Sequence, residues 1–228
     1  MSTTSFADEL RSRSDEAIRA LFELRPDLVT PVPTDFSAFA ARANSMPSLI
    51  RALENLNKVQ LDLLTAMCTL DEPFAKADVV ALTDKSIAVE IEALLTRAMI
   101  YQDGNKFRLV GNVRNLIGDE PAGLGPRLPT NLKVDFALLK DAPAGAVAML
   151  ERLMWGPPRG EMGNLKKPGP VISWLLDNHF LLAMDSQTVV LPREVGLHLR
   201  GGKIHKELTL TPPTLTGTAR KQKEVDRA

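Results

Sequence analysis

Apolar positions along this chain recur mostly at intervals of three and four residues, which is the spacing of one buried helix face. Leu61, Leu64 and Cys68 follow this spacing in one segment, and Ile87 and Ile91 follow it in a later one. Polar residues fill many of the positions between them. Each segment is therefore predicted to be an amphipathic helix with its apolar face in a core. A shorter helix is predicted between the two.

A β-hairpin is predicted to interrupt the helical pattern within residues 98–113. Asp103 and Gly104 lie there between two short apolar runs, and an Asp-Gly pair in that setting is the strongest short-range hairpin signal. A short helix that stops at Gly118 is predicted next. With a turn at residues 83–84, the order is helix, short helix, turn, helix and two-stranded wing. This order is typical of a winged helix-turn-helix unit.

The second part of the chain repeats much of this order. The pattern predicts a helix over residues 142–156, a polar loop over 159–169 and a helix over 170–181. A hairpin around residues 185–186 and a closing helix stopped by Gly201 are predicted next. The short middle helix is replaced here by the polar loop.

Internal repetition of one supersecondary unit is stronger evidence than either copy alone. The pair Leu94-Leu95 matches the pair Leu175-Leu176 at an offset of 81 residues, and a hairpin and a helix with a glycine stop follow each pair. We therefore predict a mainly α fold with small β-hairpins, an α+β chain built from tandem winged helix-turn-helix units.

Prolines and glycines divide the chain into segments. Ser14 can cap a helix that Pro26 ends, and Pro47 can occupy the first turn of a later helix. The predicted organisation is an N-terminal helical segment (1–46), a first winged-helix unit (47–118), a connector (119–131), a second winged-helix-like unit (132–204) and an extended or disordered tail (205–228).

Charge and composition restrict the possible functions. The 228 residues include 28 basic and 28 acidic ones, so the formal net charge is zero, whereas a nucleic-acid coat protein would be strongly basic. Residues 1–118 carry a net charge of −3 and residues 119–228 a net charge of +3, so any polyanion contact is expected in the second part. A single cysteine, a polar N-terminus and short apolar runs predict a cytoplasmic protein, with nucleoid association as an option.

No catalytic constellation is predicted. Residues 201–204 (Gly-Gly-Lys-Ile) lack the hydroxyl side chain that a phosphate-binding loop uses to hold magnesium. One cysteine and three histidines are too sparse for a zinc site. We expect no cofactor, no metal and no enzymatic activity in this chain.

Nucleic-acid binding is the leading functional hypothesis, although the first unit supports it poorly. Its groove-entering helix (86–98) would have Lys85 directly before it and Arg97 near its end, against Glu90 and Glu92, which leaves no excess positive charge. Better candidates for phosphate contacts lie on the first wing, the polar loop of the second unit and its final helix and exit: Asn105, Lys106, Arg108, Arg159, Lys166, Lys167, Arg193, Arg200, Lys203 and Lys206.

Four segments resemble a family of actinobacterial helicase-associated proteins that are similar to the N-terminal domain of the XPB/Ssl2 DNA-repair helicases. They are the proline-rich stretch at 25–43, PAGLGP at 121–126, Trp-Gly-Pro-Pro at 155–158 and TVVLPREVGLHLRGG at 188–202. The resemblance spans nearly the whole chain and implies a helicase or DNA-repair context. It also implies that a further domain follows, so that this chain is the N-terminal portion of such a protein. It carries over no site residues.

These observations lead to one expected function and two alternatives. We expect a non-enzymatic DNA-associated module that binds duplex or forked DNA weakly, by phosphate tracking, because no side-chain pair on a predicted recognition helix suits base contacts. The first alternative is a protein-docking module with degenerate winged helices. The second is a sequence-specific transcription regulator, which would need a basic recognition helix and a dimer.

Overall fold

A computed structural model describes residues 4–83 and 87–206 of the chain. It is an α+β fold in which helices predominate and two small antiparallel sheets are present, as the sequence predicts. Within those residues no helix combines the length and the apolar character needed to cross a membrane. Lys85, Asp84 of the predicted turn and tail residues 207–228 lie outside the described residues.

Three helices, with a loop between the second and third, form an N-terminal layer (residues 6–43). Ser14 caps the second helix by accepting the Ala17 N–H, and that helix ends before Pro26, as predicted. Leu21 and Phe39 belong to a buried cluster that this layer forms together with Ala98, which follows α7 (Ala88–Thr96). The bounds are α1 (Phe6–Ser12), α2 (Asp15–Leu24) and α3 (Phe36–Ala43).

The region of the first predicted unit (residues 47–118), which we call the first repeat, contains the predicted hairpin behind a helix. Asp103 pairs with Lys106 across the turn, and Gly104 has a φ of 64°, a conformation that glycine adopts without strain. Phe74 and Phe107 exchange backbone hydrogen bonds of 3.0 and 2.8 Å, so a one-residue bridge extends this sheet. The elements are α4 (Met46–Glu54), α5 (Lys58–Met67), α6 (Lys76–Thr83), α7 (Ala88–Thr96), β1 (Ile100–Asp103), β2 (Lys106–Leu109) and α8 (Val113–Ile117).

The region of the second predicted unit (residues 132–204), which we call the second repeat, has a similar order of helices and strands. Its sheet has three strands, with β5 between β3 and β4. The hairpin around residues 185–186 is confirmed, since Leu182 pairs with Val190. No helix is described between β3 and the helix that follows it. The elements are α9 (Ala146–Met154), β3 (Arg159–Glu161), α10 (Pro170–Asp177), β4 (Leu182–Ala183), β5 (Thr188–Val190) and α11 (Arg193–Leu199).

Strand β3 corrects the prediction that residues 159–169 are entirely loop. Gly160 pairs with Val189, and flanking hydrogen bonds from Leu191 N–H to Pro158 and from Met162 N–H to Gln187 continue the ladder. Arg-Gly-Glu has no apolar alternation, so the sequence gives no strand signal there. Pairing with the buried strand β5 imposes the extended conformation instead.

One backbone turn occurs in both repeats at the predicted offset. Ala98 and His179 lie 81 residues apart, and each has a positive φ (51° and 61°) at the end of its helix. Ala98 N–H donates to Leu95 and His179 N–H donates to Leu176, at 2.9 and 3.1 Å. Positive φ is uncommon in residues other than glycine, so this shared turn supports the structural equivalence of the two repeats.

The two repeats are in direct contact. Ala66, Leu124 and Ile204 form a small buried cluster between them. The Ile204 N–H donates to the carbonyl of Leu82, and a Cβ on Gly125 would lie 2.1 Å from the carbonyl oxygen of Leu191. We call this contact region the junction; it includes the predicted connector, which follows an irregular path apart from a short 3₁₀ turn at Pro121–Gly123.

Candidate nucleic-acid interface

The first hairpin presents two of its three predicted contact residues to solvent. Asn105 and Lys106 are exposed at and beside the turn. Arg108 instead donates from Nε to Asp103 at 2.7 Å, and the same carboxylate accepts the Thr4 N–H at 3.0 Å. These contacts, led by the Arg108 hydrogen bond, lower the pKa of Asp103. Arg108 is therefore paired within the hairpin, and Asp103 joins the hairpin to Thr4.

Helix α7 offers a poor surface for DNA. Its exposed residues include Val89, which is 77% exposed, and Glu92. Helix α2 contacts α7, and α1 packs on the neighbouring hairpin, with the Phe6 and Tyr101 rings 5.4 Å apart. Because the N-terminal layer covers part of this region, the first repeat lacks a free basic face there.

Lys166 and Lys167 are exposed on the loop that replaces the middle helix of the second repeat. We call residues 162–169 the basic loop. The Leu165 N–H donates to the carbonyl of Ser186 at 2.9 Å, which fastens this loop to the turn between β4 and β5. Neither lysine forms an ion pair with any described residue. Two uncompensated cations thus lie beside a hairpin turn.

The carboxylate of Asp185 shapes the same turn. It accepts the N–H groups of Gln187 and Thr188 at 2.7 and 2.8 Å, and these bonds lower its pKa. The turn is therefore held rigidly, with one negative charge at its tip. The neighbouring helix α10 contains no basic residue, and its exposed end carries Asp177. Helix α10 therefore has no Arg, Lys, Asn or Gln side chain that could make a bidentate contact with a base.

Arg159 and Arg193 make contacts within the chain. Arg159 is exposed on β3 and forms an ion pair with Glu120. Arg193 is half-buried at the start of α11, where its Nη1 donates to the carbonyl of Thr69 at 3.0 Å. Burial, the largest cause, lowers its pKa, and nearby Arg127 acts in the same direction. Arg193 therefore belongs to the junction, and the expectation that it faces phosphate is corrected.

Arg200 departs furthest from its expected role as a surface phosphate contact. It is 6% exposed, and its guanidinium lies 4.6 Å from the ring centre of Trp155. Burial lowers its pKa to about 10. Its three nitrogens donate to four carbonyl groups at 2.6–3.0 Å: those of Met154, Ala122, Ile204 and Gly123. Arg200 organises the junction and is withdrawn from solvent.

Lys203 and Lys206 are exposed on the segment that leaves α11. Neither forms an ion pair with a residue in the described part of the chain. Together with Lys166 and Lys167 they are the candidates of the second repeat whose charged groups remain available. The structure thus separates four free lysines from two arginines, Arg193 and Arg200, that hold the fold together.

The structure also places the residues considered for other chemistry. Cys68 is 1% exposed, and burial raises the pKa of its thiol to about 12. Such a thiol is a poor nucleophile. Among residues 4–83 and 87–206, no group of three or more His, Cys, Asp or Glu side chains is arranged to hold a metal ion.

Two contacts around these residues were not foreseen from the sequence. Glu120 pairs with Arg159 over a separation of 39 residues, and the basic loop is tied to the second hairpin. No local signal marks either contact, since both depend on tertiary placement.

No protein-family model matches this chain, and the comparisons with curated proteins and with solved structures give no match either. The resemblance to helicase-associated proteins therefore stays a prediction. The functional argument depends on the geometry of the chain itself.

Proposed function

We propose that the chain is a non-enzymatic, DNA-associated module of two fused winged-helix units. The order of helices and strands in each repeat supports this proposal, as does the shared turn at Ala98 and His179. A third strand or bridge pairs with the outgoing strand of each hairpin, through Phe74 in one repeat and Gly160 in the other. The helicase-associated DNA-repair context is part of the same proposal.

The observation that carries the DNA-binding part is the position of Lys166 and Lys167. Both are exposed, lack an ion-pair partner in the described part of the chain, and lie on a loop fastened to the second hairpin turn. A wing and an adjacent pair of cations can follow two neighbouring phosphates of a DNA backbone. Lys203 and Lys206 supply further positive charge at the exit of α11.

Binding of this kind is weak and independent of base sequence. Specific readout needs paired donors and acceptors on an element that enters a groove. Helix α10 provides no basic side chain, and α7 presents Glu92 and an exposed Val89. The chain would therefore contact the phosphate backbone and not the base edges.

Fluorescence anisotropy with labelled duplex, single-stranded and forked DNA tests this proposal. The double variant Lys166→Glu with Lys167→Glu should weaken binding by at least about tenfold at low salt, because two phosphate contacts become repulsive. The matched control is Arg19→Glu with Arg51→Glu, which changes two exposed arginines elsewhere by the same total charge. The proposal fails if wild-type chain does not bind DNA, or if both double variants bind equally well.

Protein docking is the second candidate function. The observation that favours it is that the chain's own N-terminal layer already covers part of the first repeat through α1 and α2. Helix α7 presents an acidic face that is partly covered. Such a face is better suited to packing against protein than to contacting DNA. Docking without DNA binding predicts that the wild-type chain leaves the anisotropy of all three DNA probes unchanged at low salt.

A further inference from the structure

Strand β3 is an edge of its sheet and has unpaired backbone groups. The sheet order is β3-β5-β4, and the hydrogen-bonded positions of β3 are Pro158, Gly160 and Met162. Because bonding alternates along an antiparallel pair, the N–H and C=O groups of Arg159 and Glu161 point away from β5. No described residue makes a hydrogen bond to those four groups. Exposed edges of this kind can accept an added strand.

The first repeat shows which side chains complete the equivalent sheet edge. Phe74 occupies the place of Gly160, since each residue pairs with the outgoing strand of its hairpin. The Phe74 side chain is 2% exposed and packs in the core of the first repeat. The next N–H, of Ala75, donates to the carboxylate of Asp78 at 2.7 Å. An aromatic ring and a carboxylate thus complete this edge.

The second repeat lacks both groups. Gly160 has no side chain, and the N–H of Glu161 has no carboxylate partner in the described part of the chain. A groove of about 480 Å³ lies between α9 and β3, where Met149, Leu153 and Met162 provide apolar lining. We call it the edge groove. The methyl group of Met162 would lie 2.8 Å from a Cβ on Gly160, so a flexible side chain covers the gap.

Charge at the rim of the edge groove favours an acidic occupant. Arg152 is exposed on α9, lines the groove and forms no ion pair within the described residues. Arg159 also lines it, although its guanidinium is paired with Glu120. Glu161 is the one acidic residue of the lining and forms no ion pair within the described residues. It lies on β3, so the free positive charge of the groove is on the α9 side, at Arg152.

We propose that the edge groove binds an extended segment of a partner protein that adds as a strand to β3. A backbone carbonyl of the segment accepts the Glu161 N–H. The segment also places a bulky apolar side chain over Met149, Leu153 and Met162, and it supplies a carboxylate to Arg152. In the first repeat the Phe74 ring fills the core, and the Asp78 carboxylate accepts the outward N–H of Ala75. The site adjoins the basic loop at Met162, but its contacts do not involve Lys166 or Lys167.

Nuclear magnetic resonance of the isotope-labelled full chain tests the proposal with a synthetic probe. The probe is the peptide Thr-Val-Phe-Val-Asp-Thr with blocked ends, whose β-branched residues favour an extended conformation. It should produce saturable shifts of backbone signals in residues 159–162 and in α9. A control peptide with alanine in place of phenylalanine should bind at least about tenfold more weakly, because it buries less apolar area.

Two substitutions at one position separate strand addition from nonspecific contact. Glu161→Pro removes the outward N–H without removing a bond to β5, and proline is tolerated at strand edges. It should weaken peptide binding by about tenfold, whereas Glu161→Ala keeps the N–H and should stay within about twofold. Arg152→Glu, on the surface of α9, should also weaken binding and guards against a folding defect in the proline variant.

Several results would overturn strand addition at this site. They are the absence of saturable shifts with the unmodified chain, shifts that lie outside β3 and α9, and equal binding by the proline and alanine variants. Displacement of the peptide by a thymidine oligonucleotide would assign the edge groove to nucleic acid instead.

Discussion

Replacing Arg200 by alanine should destabilise the chain, although the sequence suggests only a surface cation. The side chain donates to four carbonyl groups, those of Met154, Ala122, Gly123 and Ile204. Hydrogen bonds from a charged donor contribute about 1.5–3 kcal/mol each before desolvation is subtracted. Burial of the guanidinium opposes this gain, as its lowered pKa of about 10 indicates.

The net loss in the free energy of unfolding is therefore expected to be about 3 kcal/mol, at the upper end of the range for leaving a buried polar group without its hydrogen-bond partner. For a chain of this length that corresponds to a fall in melting temperature of roughly 6–12 °C. Urea and thermal unfolding followed by circular dichroism measure the loss, and tryptophan fluorescence reports on Trp155 beneath the guanidinium.

Lys203→Ala is the matched control, because this neighbouring cation is exposed and should change the free energy of unfolding by no more than about 0.5 kcal/mol. The reasoning would be refuted by an Arg200→Ala chain that is as stable as the control. Lost DNA affinity together with unchanged stability would return Arg200 to the list of phosphate contacts.

Three further predictions concern single residues. Gly125→Ala should cost about 1–3 kcal/mol in urea unfolding, because its Cβ would meet the Leu191 carbonyl oxygen. Gly169→Ala has open space and should cost less than about 1 kcal/mol, because alanine is only a poorer N-cap of α10 than glycine. The buried Cys68 thiol, with its pKa raised to about 12, should react with Ellman's reagent only after unfolding in guanidinium chloride; rapid reaction of the folded chain would contradict its burial. Since the pKa of Asp103 lies below its ordinary value of 3.8 in the folded state, its ionised form stabilises the fold above that pH, and the stabilisation is lost as pH falls further. Asp103→Asn should therefore lose less stability than wild type between about pH 7 and about pH 3, and equal losses would count against this contact.

Elements with strong local signals were predictable from sequence. The helical spacing around Leu64 and Ile91 predicts α5 and α7, and Asp103-Gly104 predicts the first hairpin. Gly118 ends α8 with a φ of 89°, as its position suggested. In each case the decisive information lies within a few residues, so periodicity or turn chemistry is sufficient.

Features that depend on distant partners were not predictable in this way. Strand β3 exists because Val189 lies beside Gly160, and the burial of Arg200 requires carbonyl groups from residues 122, 123 and 154. A charged residue next to a glycine pair has the local appearance of a surface residue whether its partner is water or a buried carbonyl. The sequence therefore predicts the candidate interface only as a set of charged residues. In the folded chain two of them, Arg193 and Arg200, donate to backbone carbonyl groups instead.

The salt dependence of duplex DNA affinity tests the central claim most directly. If Lys166, Lys167, Lys203 and Lys206 contact phosphates, the logarithm of the association constant should fall against the logarithm of salt concentration with a slope of about −3 to −4. Replacing Lys166 and Lys167 by alanine should reduce the magnitude of that slope by about 2. An unchanged slope in this double variant would contradict phosphate contact by the basic loop.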